Sequence, residues 1–154
     1  MEEIVRLLKQ NNKTISTMES CTGGSIASAI TNIEGSSEVL KFSAVTYSNE
    51  FKIKMGVDKT IIDKYTVYSP EVANEMSKNI SNFTSSNYGI GITGQLNRYD
   101  PYNKTKENNI VYISIYDKDN NSFINKEIKV HKKSRKDNKK NIINEVINIL
   151  INLL

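Results

Sequence analysis

A chain of 154 residues has the length of one domain, and its one cysteine, Cys21, excludes an internal disulfide framework or a multi-cysteine zinc site. With 38% hydrophobic and 25% charged residues it has ordinary globular proportions, enough to fill a real core. The net charge of +4 leans mildly toward anionic partners such as phosphates, nucleotides or nucleic acid, without choosing among them.

Residues 2–11 set Ile4, Val5, Leu7 and Leu8 on one side, the pattern of a short amphipathic helix. This segment carries acids and lacks a secretory apolar stretch. No apolar run approaches the roughly 20 residues that span a bilayer, so the expectation is a cytoplasmic protein with no membrane partner. Residues 14–18 read as a short strand, and Ser20 to Gly24 as a turn. Residues 25–31 are helical, with Ile26, Ala27, Ala29 and Ile30 available for packing. A loop at 34–37 leads to a strand over 41–48, rich in β-branched and aromatic residues, with Tyr47 at its end.

A helix starts at Asn49, breaks at Gly56 and is followed by a second short helix near 59–64. Ser69-Pro70-Glu71 is a helix start with Ser as N-cap, Pro at the first position and an acid in the first turn; the helix runs to about Phe83. Residues 87–93 read as a buried strand and 94–109 as a polar loop. Strands over 110–116 and 122–130 flank a hairpin turn at 117–121. A final helix over 134–154 carries Ile142, Ile143, Val146, Ile149, Leu150 and Leu153 at helical spacing. Helices and strands alternate and a hairpin follows. The pattern predicts one α/β domain over 1–154, a three-layer sandwich. Its mixed, mostly parallel sheet is flanked by helices and followed by a C-terminal β-hairpin and helix.

The turn after the first strand is the chemically informative stretch. Gly23 and Gly24 let the backbone turn sharply and approach a ligand. The following helix start offers unpaired amides and a partial positive charge, which suit an oxyanion or a phosphate. Ser20 falls at the carboxyl end of a strand, where open α/β sheets bind ligands, and its hydroxyl is placed as a nucleophile. The same residues also fit a plain N-cap and turn. The P-loop pattern is absent.

A serine nucleophile needs a base. His131 lies in a basic run without a carboxylate partner nearby in sequence and reads as a surface residue. A lysine is the remaining choice, and it must lose its proton, through burial or cationic neighbours, to serve. Lys52 is the best placed, against the plainer reading of an exposed helix lysine. Ser48 stands four residues before it on the same helix face and is a rival nucleophile. The run 129–140 is dense in lysine but lacks aromatic residues for base stacking. It opens a helix with an apolar face, so a solvated face is favoured over a nucleic-acid interface.

Three stretches carry a resemblance: Glu19-Ser20-Cys21-Thr22-Gly23-Gly24, the run from Val45 to Lys52, and Gly91-Ile92-Thr93-Gly94. In order and separation they resemble the CinA C-terminal domain family, the nicotinamide-nucleotide amidohydrolases. Pro70-Glu71-Val72-Ala73 followed by Met76 is similar to the family's helix. The resemblance covers nearly the whole chain. It implies hydrolysis of the carboxamide of nicotinamide mononucleotide to nicotinate mononucleotide and ammonia, without metal or cofactor, in a homo-oligomer. By motif it implies Ser20 as nucleophile, Lys52 as base and Tyr47 as their orienting partner. Thr22, Gly23, Gly24, Ser48, Asn49, Thr93, Gly94 and Arg135 are implied substrate contacts, and Gln95, where the chain departs from the family, is a further candidate contact through its side chain. Lys133-Ser134-Arg135 stands where the family carries Gly-Asp-Arg, and Lys139 near a second family arginine. After Gly94 the family continues with Ala-Gly-Pro and a glycine-rich loop. Here Gln95-Leu96-Asn97-Arg98-Tyr99 follows, which cannot close backbone donors around a ligand in the same way; the side chains of Gln95 and Arg98 can bind polar groups instead, and a nucleotide-binding relative without turnover is the alternative.

Overall fold

The computed structural model describes residues 1–103, 107–131 and 134–154. Lys133 and residues 104–106 of the polar loop, both part of the sequence-based expectations, lie outside the described residues.

Five strands form one sheet in the order β2-β1-β3-β4-β5. They are β1 (Ile15–Glu19), β2 (Leu40–Val45), β3 (Tyr88–Gly94), β4 (Ile110–Asp117) and β5 (Ser122–Lys129). β1 pairs in parallel with β2 and β3, while β3–β4 and β4–β5 are antiparallel. Thus β4 alone opposes the direction of the others, and the sheet is mixed as its sequence pattern predicts. β1 and β3 are buried along their whole length, which is why their sequences lack the polar alternation of a one-sided strand.

Helices α1 (Glu2–Gln10), α2 (Ser25–Thr31) and α6 (Arg135–Leu153) cover one face. Their Ile4, Val5, Leu8, Ile26, Ile30, Ile142, Val146 and Leu150 form one core with the sheet residues Ile15, Ile90, Ile92, Val111, Ile113 and Ile115. Helices α3 (Asn49–Lys54), α4 (Lys59–Tyr65) and α5 (Pro70–Thr84) precede β3. A second core gathers Val57, Ile62, Val67, Val72, Met76 and Ile80 around Met18. The period of two along β3 sends Ile90 and Ile92 to the first core and Gly89 and Gly91 toward α5. A Cβ on Gly89 would overlap the Ser77 carbonyl oxygen, and one on Gly91 that of Ala73. Small residues on both elements therefore let α5 lie close on the sheet.

Ser69 caps α5, its hydroxyl accepting from the Val72 amide at 3.3 Å, and Pro70 opens the helix. The strand expected over 41–48 ends earlier, at Val45, because Ser48 leaves the extended run to cap α3 and accepts from the Phe51 amide at 3.3 Å. Among the described residues no helix is long and apolar enough to cross a membrane.

The chain runs from β1 through α2 to β2 on one side, then returns through α3, α4 and α5 to β3 on the other side of β1. The carboxyl ends of three parallel strands therefore open at one place, the switch point where such sheets form a crevice. Ser20 follows β1, Thr46 and Tyr47 follow β2, and Gln95 follows β3.

Candidate functional site

A cavity of about 490 Å³ lies at this switch point, a volume suited to a small-molecule ligand. Ser20, Lys52, Tyr47, Asn49, Gly94, Gln95 and Arg135, all singled out in the sequence, line it.

Its floor is a serine–lysine pair. Lys52 Nζ is 3.1 Å from Ser20 Oγ and donates to the Thr46 carbonyl at 2.8 Å. The lysine is 2% exposed, the opposite of the usual fate of that residue. Its partners are a hydroxyl and a carbonyl, neither of which supplies a full negative charge. Burial therefore dominates and pushes the ammonium down from 10.5 to about 8. Of the two routes open in the sequence, burial or a cationic neighbour, burial carries the depression. The Arg135 guanidinium donates to the Leu96 carbonyl and to the Tyr47 hydroxyl, the latter at 3.4 Å. Cys21, next to Ser20, is buried, and burial raises its thiol to about 12, so it stays protonated at neutral pH.

Glu19, which sequence reasoning passed over, fixes the turn beneath Ser20. Its side chain is fully buried, and its carboxylate accepts from the amides of Gly24 at 3.1 Å, Ile26 at 3.2 Å and Ala27 at 2.9 Å. Gly23 and Gly24 take left-handed backbone angles, φ +61° and +88°, which make the sharp turn possible. The Gly23 amide donates to the Ser20 carbonyl at 3.0 Å. This corrects the expectation that the α2 N-terminus offers free amides to a ligand oxyanion or phosphate. An internal carboxylate occupies that positive end. The clue was available as an acid closing a buried strand just before a glycine-rich helix start.

The structure takes other expected contacts away from the cavity. Thr93 is fully buried, and its hydroxyl donates to the Val67 carbonyl at 2.7 Å, tying β3 to the segment before α5. Thr22 is fully buried and lies outside the cavity lining. Ser48 caps α3, and although Lys52 is four residues on, its Nζ reaches Ser20 instead. Gly23 and Gly24 border a neighbouring groove of about 800 Å³ together with Lys136, Lys139 and Lys140. Tyr47 is 66% exposed and stands at the mouth of the cavity.

The roof is the segment 96–103. Tyr68 donates its hydroxyl to Asp100, Asn103 donates to Asp100 at 2.8 Å, and Asn49 donates to Asn103 at 2.8 Å. Burial and the Asp100 carboxylate both push the Tyr68 phenol up. The Asp100 carboxyl is lowered, because the hydrogen bonds from Tyr68 and Asn103 outweigh the burial that would raise it. Tyr68, Asp100 and Asn103 carried no signal in the sequence: they belong to different segments that meet only in the fold.

A buried Ser–Lys pair at the switch point of a mixed α/β sheet defines the class of arrangement. Comparison with known proteins supplies the family. The CinA C-terminal domain model matches residues 1–154, and the chain belongs to that family. A competence-damage inducible protein of Clostridium kluyveri is 43% identical over 120 residues, which is 77% of this chain and 29% of that relative. One from Caldanaerobacter subterraneus is 46% identical over 96 residues, 61% of this chain and 23% of the relative. The chain thus spans under a third of the length of these curated relatives. Among solved structures, a competence/damage inducible protein from Agrobacterium tumefaciens has a TM-score of 0.85 at 26% identity, covering 99% of this chain and 94% of its own. A CinA superfamily protein from Escherichia coli has a TM-score of 0.88 at 21% identity, covering 99% and 90%. The latter likeness is one of fold.

Proposed function

We propose that this protein is an amidohydrolase that deamidates nicotinamide mononucleotide to nicotinate mononucleotide and ammonia. The observation that carries the reading is the 3.1 Å contact between Ser20 Oγ and a buried Lys52 whose pKa is lowered to about 8. The substrate comes from the family resemblance, and the mild positive charge suits a nucleotide.

With Lys52 neutral, the Ser20 hydroxyl donates to Nζ. Ser20 Oγ attacks the carboxamide carbon while its proton passes to Lys52. The tetrahedral intermediate collapses, the C–N bond breaks, and ammonia leaves with the proton from Lys52. Water then attacks the resulting ester, again giving a proton to Lys52, and the carboxylate departs as Ser20 recovers its hydrogen. Tyr47 and Arg135 border the mouth, where they suit the polar remainder of a nucleotide.

Ammonia release is the test, with nicotinamide mononucleotide set against nicotinamide, its riboside and glutamine. Release from the nucleotide alone supports the reading; none from any of the four rejects it. The rebuilt roof favours one second reading, a nucleotide-binding relative without turnover, which binding without ammonia release identifies. A cytoplasmic assembly of two or more copies belongs to the same proposal, and sedimentation of the purified protein tests the assembly.

A further inference from the structure

Gln95 is the anomaly of the cavity wall. It is 3% exposed, lines the cavity, and neither Oε1 nor Nε2 has a hydrogen-bond partner among the described residues. Its backbone amide is held by the Ile110 carbonyl at 2.9 Å, so the side chain starts from a fixed point at the end of β3. A buried primary amide with unmet donors and an unmet acceptor is costly unless something arrives to meet them. The other amides lining the cavity differ in this respect, since Asn49 and Asn103 bond to each other at 2.8 Å.

We propose that Gln95 is a specificity-determining residue that pairs with the uncharged carboxamide of the substrate and rejects the carboxylate of the product. This rests on the amidase reading and deepens it. An amide facing an amide forms a closed pair: Nε2 donates to the substrate carbonyl, and the substrate N–H donates to Oε1. A carboxylate only accepts. One of its oxygens can take the bond from Nε2, but the other is set against Oε1. Arg135 borders the same cavity and favours an anion, so a group that reads the neutral amide helps the product to leave. Sites that hydrogen-bond a polar group discriminate strongly against an analogue that leaves their own groups unpaired.

The test measures binding in the Ser20→Ala protein, which holds the nucleotides without converting them. Calorimetry compares nicotinamide mononucleotide with nicotinate mononucleotide. The amide is expected to bind on the order of a hundredfold tighter than the acid. Adding Gln95→Leu should collapse that ratio toward one. Adding Gln95→Glu should weaken both ligands but the acid more, widening the ratio. A purely structural role would not move the two ratios in opposite directions. An unchanged ratio in both variants overturns the proposal. So does a Gln95→Leu protein that fails to fold, because an unpartnered side chain should be replaceable without loss of stability. Ammonia release by the wild-type protein is measured in parallel. Release with an unchanged ratio rejects Gln95 alone. No release with a Gln95-dependent ratio rejects turnover and keeps Gln95. Binding of neither nucleotide rejects both.

Discussion

The floor and the roof of the cavity are built by different means. On the floor, Ser20 follows a fully buried strand, Lys52 is locked between Ser20 and the Thr46 carbonyl, and Glu19 holds the turn with three backbone amides. Moving any of them disturbs the sheet itself. The roof over 96–103 hangs from side-chain bonds through Tyr68, Asn49 and Arg135, on a segment whose Tyr99 and Tyr102 are exposed. Such bonds contribute about 1 kcal/mol each and can open one at a time. On the proposed amidase reading, rigid chemistry and adjustable selection are thus separated: the floor would set the reaction and the roof what enters.

The largest effects belong to the floor. Ser20→Ala should lower kcat on the order of 10⁴-fold or more while the fold persists, measured by ammonia release alongside circular dichroism. Lys52→Ala should cost on the order of a hundredfold or more. Lys52→Arg should be nearly inactive although it keeps the charge, because guanidinium does not give up its proton. Substantial activity in Lys52→Arg would make Lys52 a binding cation and break the floor as described. For the wild type, kcat/KM should rise with pH through an ionisation near 8 and level off above it, as the free enzyme's base loses its proton.

Glu19→Ala removes the acceptor for three amides at the start of α2. The expected loss is about 2 kcal/mol, with a Tm drop of roughly 5 °C. Glu19 precedes Ser20 directly, so kcat should fall with it. An unchanged Tm would mean that the turn is held from elsewhere.

Lys52 also links the floor to stability. Its folded pKa lies below the unfolded value, so between about 8 and 10.5 the unfolded chain binds more protons. Stability from this group is therefore lowest below about pH 8, where the buried charge must be carried, and rises with pH across that window. The full cost is about 3 kcal/mol. Lys52→Met removes it but forfeits the bonds to Thr46 and Ser20. The net expectation at pH 7 is a gain of about 1 kcal/mol, which shrinks as the pH rises toward 10.5. Thermal melts of both proteins across that range check the sign. A variant less stable than wild type at pH 7 would show that the pair is stabilising rather than strained for function.

The floor was largely legible in the sequence and the roof was not. Ser69-Pro70-Glu71 marks a helix start because a cap is satisfied by residues a few positions away. Lys52 followed from the chemistry of a serine without a usable histidine. The strand ending at Val45, two residues before Tyr47, was missed because Thr46 and Tyr47 have strand-like side chains while Ser48 already caps α3. Glu19 left only a faint mark, an acid closing a strand before Gly23-Gly24, because its acceptor role spans five to eight residues and depends on a glycine turn. Tyr68 and Asp100 are 32 positions apart, and no local pattern announces their meeting. The polar run after Gly94, in place of the glycines the resemblance leads one to expect, did single out this segment. It could not show which side chains take over.

The smallest expected effect tests how the roof is held. Tyr68→Phe removes a single hydroxyl that donates to Asp100 and leaves the ring in the cavity lining. Asp100 keeps its bond from Asn103 at 2.8 Å and from the Tyr102 amide at 2.9 Å, so the segment should loosen without detaching. A hydrogen bond to a partly solvated carboxylate is worth about 1 kcal/mol, which corresponds to a roughly fivefold rise in KM. The Ser20–Lys52 contact lies on the floor, so kcat should change less than KM. Steady-state kinetics on Tyr68→Phe, Asp100→Asn and the double variant separate the terms. If the two act through their shared bond, the double variant should be little worse than either single change. A fall in kcat with KM unchanged would place Tyr68 in the chemistry and erase the division between floor and roof.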